Sequence, residues 1–211
     1  MLRFFLSLAL TLSLSSIGPA EADPVTDAIA KAPYQYRAAI RNVLNSPVHA
    51  KALATCPADV FPRKGRYANG MTECGKNPDK CYKACISGDG NACFGLAHAF
   101  EKSRTDNSRR ANYSDFTYTL FLASCQQGNA NGCTNAAATS KNGTWIKEPP
   151  AKSRSIPCQY RTYKASCDAN AYWGCSMLGG LHMRADAGQY RSAAKSKAAY
   201  EKARRLRKSG S

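Results

Sequence analysis

Six cysteines fall into three pairs of one spacing, and this regularity limits the possible folds more than any other feature of the chain. Cys85 and Cys93 bracket "ISGDGNA", Cys125 and Cys133 bracket "QQGNANG", and Cys167 and Cys175 bracket "DANAYWG". Each pair encloses seven residues, and successive pairs are offset by 40 and then 42 residues. A period of that size marks stacked helical hairpins, each too small to bury a core alone. The chain reaches the first cysteine of each pair through "CYKA", "FLAS" and "YKAS". Three and four places past the second stand Leu96 and Ala97, Ala136 and Ala137, Leu178 and Gly179. Apolar residues at helical intervals, such as Phe116 and Leu120, run up to Gly or Asn, which tolerate the left-handed backbone of a helix end. The spacing therefore predicts a bridge across the mouth of each hairpin, from the end of one helix to the start of the next. Closing so short a loop stabilises by about 2.6 kcal/mol in the chain-entropy picture.

The N-terminus sets the redox context. One Arg3, an apolar run from Phe4 to Leu14 and the small-residue ending Ala20-Glu21-Ala22 have the layout of a secretory signal, with the mature chain expected to start at Asp23. The run is shorter than the ~20 residues a spanning helix needs, and no cysteine stands near the cleavage site to carry a lipid. A periplasmic or secreted protein is expected, of one domain's length. All ten cysteines follow residue 22, and an even count in an exported chain reads as a disulfide framework. No C-x-x-C occurs, and His49, His98 and His182 share no ligand-like spacing, so no metal and no cofactor are expected. Cys56, Cys74, Cys81 and Cys158 allow three connectivities, among which sequence does not choose. The preferred pairing is Cys56–Cys74, closing "PADVFPRKGRYANGMTE", with Cys81–Cys158 tying the first repeat to the last.

The pattern A-C-x-x-G-x-x-x-x-C-x-x-L-[G/A], met best at Ala84, Cys85, Gly88, Ala92, Cys93, Leu96 and Ala97, resembles the Sel-one-like repeat, a relative of the tetratricopeptide repeat. More narrowly it resembles that family's cysteine-rich, exported bacterial branch. The third repeat has Asn170 in place of the turn Gly, and the middle one has Ala136 in place of Leu. "AAYEKARRLRKSG" resembles one more first helix, with Arg204 in the cysteine position, suited to a cap. The resemblance implies an all-α fold, a disulfide-stapled α-solenoid over residues 78–211 with a less regular segment at 23–77. It also implies scaffolding or partner binding. First helices of such arrays line a concave face, so Tyr82, Lys83, Tyr118, Tyr160, Arg161 and Tyr163 are the contacts it points to, with Trp145 a candidate in a loop. The offsets exceed the family's usual repeat length, so "EKSRTDNSRRANYSD" and "SKNGTWIKEPPAKSRSIP" read as inserted connectors.

Charge narrows the partner. The chain carries a net +16, which loss of Arg3 and Glu21 leaves unchanged. Residues 184–208 hold nine basic side chains against Asp186 and Glu201. Ala199, Ala203 and Leu206 share one helical stripe there, which leaves Arg204, Arg205, Arg207 and Lys208 facing outward. Such a field draws an acidic protein or peptide, or an anionic envelope polymer. Tyrosines among the bases could stack on nucleic acid, but export argues against a specific nucleic-acid partner.

The competing class is an envelope hydrolase of the penicillin-binding or β-lactamase kind. Its Ser-x-x-Lys and Lys-[Ser/Thr]-Gly motifs occur as "SAAK", Ser192 to Lys195, and "KSG", Lys208 to Gly210. Both are short enough to arise by chance, and the second lies one residue from the end of the chain. No glycine-rich phosphate loop, G-x-S-x-G or H-E-x-x-H is present. The expected function is therefore an exported, non-catalytic binding module, with Ser192 and Lys195 the nameable catalytic pair should it be an enzyme.

Overall fold

The computed structural model describes residues 23–63, 70–103, 113–146, 151–184 and 191–209. The expected signal peptide lies outside these residues, as do 104–112 and 147–150 of the two connectors. Among the described residues there are eleven α-helices and no strand. The N-terminal segment forms α1 (Pro24–Lys31), α2 (Arg37–Leu44) and α3 (Pro47–Leu53), with 3-10 turns at Tyr34–Tyr36 and Pro57–Val60. Then come α4 (Pro78–Ile86), α5 (Gly90–Ser103), α6 (Ser114–Gln126) and α7 (Ala130–Asn142). The chain ends in α8 (Ala151–Arg154), α9 (Ile156–Asp168), α10 (Tyr172–Arg184) and α11 (Ala193–Lys208).

Local chemistry starts these helices. Asp23, Ser46, Asn77 and Ser155 each accept a hydrogen bond from a backbone N–H of the first turn, with a proline at the first or second helical position. The caps satisfy orphan donors, and proline there has no N–H to lose.

The three hairpin turns share one hydrogen-bond scheme. The N–H of Gly88, Gly128 and Asn170 donates to the carbonyl of Cys85, Cys125 and Cys167, and the next N–H donates to the carbonyl of Ala84, Ser124 and Ser166. That is a Schellman closure, which needs a left-handed residue at its corner. Gly88, Gly128 and Asn170 have φ of 103°, 98° and 59°. Asparagine tolerates that region among non-glycine residues, so the missing turn glycine of the third hairpin alters nothing. Bridges Cys85–Cys93, Cys125–Cys133 and Cys167–Cys175 close these mouths with Cα–Cα distances of 4.6, 4.5 and 4.3 Å.

The other four cysteines pair as Cys56–Cys158 and Cys74–Cys81, which corrects the preferred assignment. The 3-10 turn after Cys56 packs on α9 and so carries that cysteine to Cys158. Thr72, whose N–H donates to the Asn91 carbonyl at 3.1 Å, leads the chain back over the first hairpin, and Cys74 reaches Cys81 in α4.

Packing runs in chain order from α4 to α11, while the N-terminal segment crosses α4, α6 and α9 in turn. The Tyr113 hydroxyl donates to the Ala28 carbonyl at 2.9 Å and that of Tyr118 to the Thr55 carbonyl at 2.6 Å. Residues 23–53 and helices α4 to α6 share one core, in which the Phe100 ring meets Tyr36, Tyr113 and Phe116 edge-on. Toward the C-terminus the core thins to small residues. A Cβ on Gly132 would stand 2.5 Å from Ser124 Oγ, and one on Gly174 would stand 2.3 Å from Ser166 Cβ. These are the positions just before the second and first cysteines of their hairpins, so the small residues admit a close helix crossing.

Candidate functional site

The residues expected to line a partner-binding face do not form one surface. Tyr118 and Tyr163 are fully buried, because the N-terminal segment covers α6 and because Tyr163 packs with Ala137 and Leu181. Burial pushes both phenols well above the ordinary tyrosine range. Trp145 packs edge-on against Tyr118 with ring centroids 5.4 Å apart. Tyr160 is half-buried against the His182 ring. Arg161 is spent on the chain's own Asp59 at 3.0 Å, where Lys152 also bonds at 2.6 Å. Tyr82 on α4 is half-buried against the same core as Tyr118 and Trp145, and Lys83 is exposed. Of these residues, Tyr118 and Arg161 meet the chain's own N-terminal segment, at Thr55 and Asp59.

Ser192 and Lys195 also take a structural part. The Ser192 Oγ accepts the Lys195 backbone N–H at 3.2 Å and caps α11. Among the described residues the Lys195 amine makes no hydrogen bond to that hydroxyl, whereas a serine nucleophile needs its base in contact. Lys208 and Ser209 end the same helix.

A second catalytic-looking constellation escaped the sequence reading. His49 lies between Asp115, with Nε2 3.6 Å from Oδ1, and Thr119, with Nδ1 2.9 Å from Oγ1. The order carboxylate, imidazole, hydroxyl is that of a nucleophilic relay. Yet Thr119 is 3% exposed and its hydroxyl donates to the Asp115 carbonyl at 2.7 Å. Asp115 Oδ2 accepts from the Ile146 N–H at 2.8 Å. The cluster joins α3, α6 and the loop after α7, a polar clamp in which Asp115 and Thr119 are buried and His49 is partly buried. Among the described residues no group of His, Cys, Asp and Glu is arranged to hold a metal ion. No described helix is long and apolar enough to cross a membrane.

One open and chemically mixed surface lies at the C-terminal end. The first turn of α10 and the second half of α11 flank an open groove of about 410 Å³ lined by Tyr172, Trp173, Tyr200, Ala203, Arg204 and Arg207. Residues 200, 203, 204 and 207 form one stripe of α11, the i, i+3, i+4, i+7 face of a helix. Tyr172 and Trp173 are 38% and 37% exposed. Trp173 Nε1 donates to Asn135 Oδ1 at 2.7 Å, which holds the indole to α7. A Cβ on Gly179 would lie 3.1 Å from three atoms of the Tyr200 ring, so that ring rests flat on the α10 backbone. Arg204 and Arg207 have no hydrogen-bond or ion-pair partner among the described residues, although Glu201 lies one turn away. The charge pattern had marked these arginines in the sequence. The ring of aromatics beside them was not legible, because Trp173 and Tyr200 are 27 residues apart.

No known family, curated protein or solved structure matches this chain. Its function therefore rests on its own geometry.

Proposed function

We propose that this protein is an exported, non-catalytic binding module, an α-solenoid of disulfide-stapled hairpins of the Sel-one-like kind, which holds an acidic protein partner outside the cytoplasm. One observation carries the reading: exposed aromatic rings and two unpaired guanidinium groups share the groove between α10 and α11. Aromatic and arginine side chains are the usual anchors of protein interfaces. Three identical turns, chain-order packing and cysteines paired throughout support the stacked, exported scaffold. The net charge of +16 supports a partner of opposite sign.

Affinity capture from an envelope extract, with the oxidised mature chain as bait and a salt gradient for elution, tests this. One acidic protein retained in stoichiometric amount is the expected result. A diffuse set of acidic molecules leaving together at modest salt would reduce the charge to a non-specific coat. Exposure to a fluorescent penicillin tests the hydrolase class. No covalent label is expected, and labelling lost in Ser192→Ala would replace the binding reading with an enzymatic one.

A further inference from the structure

We propose that the groove between α10 and α11 binds an acidic peptide segment by two points at once, an apolar side chain against Trp173 and Tyr200 and carboxylates on Arg204 and Arg207. The inference rests on the partner-binding reading and names where and how the partner is held. The groove, at about 410 Å³, is of the size of small-ligand sites, roughly 300–1,000 Å³. Its rings are held before any ligand arrives, the indole by Asn135 and the Tyr200 ring by the flat contact with Gly179. Pre-set side chains lose little freedom on binding, which favours affinity. With the indole N–H already bonded, what Trp173 offers is an apolar face. The guanidinium forks of Arg204 and Arg207 sit at i and i+3 with no internal carboxylate bound to them, and such forks match carboxylates bidentately.

The mixed chemistry selects among anions. A polyphosphate would satisfy the arginines and leave the apolar groove unfilled, and the expected export argues against nucleic acid, whose bases could stack on the rings. A second copy of the chain would bring a like charge of +16. An acidic peptide with one large apolar residue satisfies both halves. Arg205 and Lys208, on the neighbouring face of α11, extend the positive field toward flanking acids.

The probe is a synthetic peptide with a central phenylalanine between two glutamates on each side, compared with the same peptide carrying alanine at its centre. Trp145 and Trp173 are the two tryptophans, so a Trp145→Phe background makes indole fluorescence report on the groove, with calorimetry on the unaltered protein as a second readout. The phenylalanine peptide is expected to bind in a salt-dependent manner and shift the Trp173 emission. The alanine peptide and the Arg204→Ala/Arg207→Ala variant, its helicity checked by circular dichroism, are each expected to weaken binding by about tenfold. Equal affinity for the two peptides, undiminished binding by the double variant, or stronger binding of polyphosphate or anionic phospholipid vesicles would each overturn the proposal. If the envelope partner is still captured in full by the double variant, the groove is wrong and the binding module stands. If the unaltered protein captures no stoichiometric partner, the wider reading falls first.

Discussion

Tyr118 and Tyr163 show how burial turns an expected contact into a structural one. Both phenols are buried, which raises their folded pKa above the unfolded value of about 10. A raised folded pKa contributes stability that is whole below pH ~10 and is lost as pH climbs beyond it. Alkaline titration followed at the phenolate absorbance should therefore show a late-ionising group of tyrosines that includes Tyr118 and Tyr163, whose signal appears only together with loss of helical circular dichroism. Ionisation of all eleven tyrosines before unfolding would contradict their burial. Gly174 belongs to the same scale. An added Cβ would meet Ser166 Cβ at 2.3 Å and the Cys167 backbone nitrogen at 2.9 Å. Gly174→Ala is expected to cost about 1–3 kcal/mol, read from denaturant unfolding, because backbone has no rotamer by which to yield. A neutral effect would mean that α9 and α10 cross less closely than described.

The hairpin is the unit in which sequence and structure agree best. Its turn is read from local residues, a left-handed Gly or Asn followed by a capping position, and its bridge needs only that turn. What each bridge stabilises differs along the chain, since α4 to α6 share a large aromatic core while Cys167, Cys175 and Ala203 form a small cluster of their own. Replacing Cys167 and Cys175 by serine is expected to cost about 2–3 kcal/mol. Hydrogen exchange should then show α10 and α11 losing protection while α5 and α6 keep theirs. Loss of protection spread evenly over the chain would argue for one cooperative core instead. The contacts between hairpins repeat as well: Ser124 Oγ donates to the Gly90 carbonyl at 2.7 Å and Ser166 Oγ to the Ala130 carbonyl at 3.4 Å.

At the scale of the molecule, the N-terminal segment is tied across the helices of the hairpins by Cys56–Cys158 and by Asp59 between Lys152 and Arg161. The hydrogen bond from Lys152, and after it that from Arg161, hold the Asp59 carboxyl below its ordinary range. A depressed folded pKa contributes stability present above pH ~4 and lost as acid protonates the group. Asp59→Asn should thus lower stability by about 0.5–1 kcal/mol at neutral pH, a modest effect because the pair is partly solvated. The difference from the unaltered protein should close as the pH falls below about 3–4. A difference that persists in acid would assign the effect to packing. With this segment in place, Tyr118 is buried and Arg161 is ion-paired to Asp59, while the groove between α10 and α11 stays open.

Sequence by itself determined the helical class, the three hairpins and their bridges, and the basic C-terminal helix, because each depends on residues within about one or two helix turns of one another. The Cys56–Cys158 bridge spans 102 residues, and the His49 clamp reaches 70 residues to Thr119. Neither leaves a periodic trace in the chain. Only the tertiary structure decided that Tyr118 and Tyr163 are core, that Ser192 is a helix cap, and that Trp173 and Tyr200 line one groove beside Arg204. Burial and long-range apposition follow from how the N-terminal segment and α11 dock, and docking depends on summed surface complementarity rather than on any short motif.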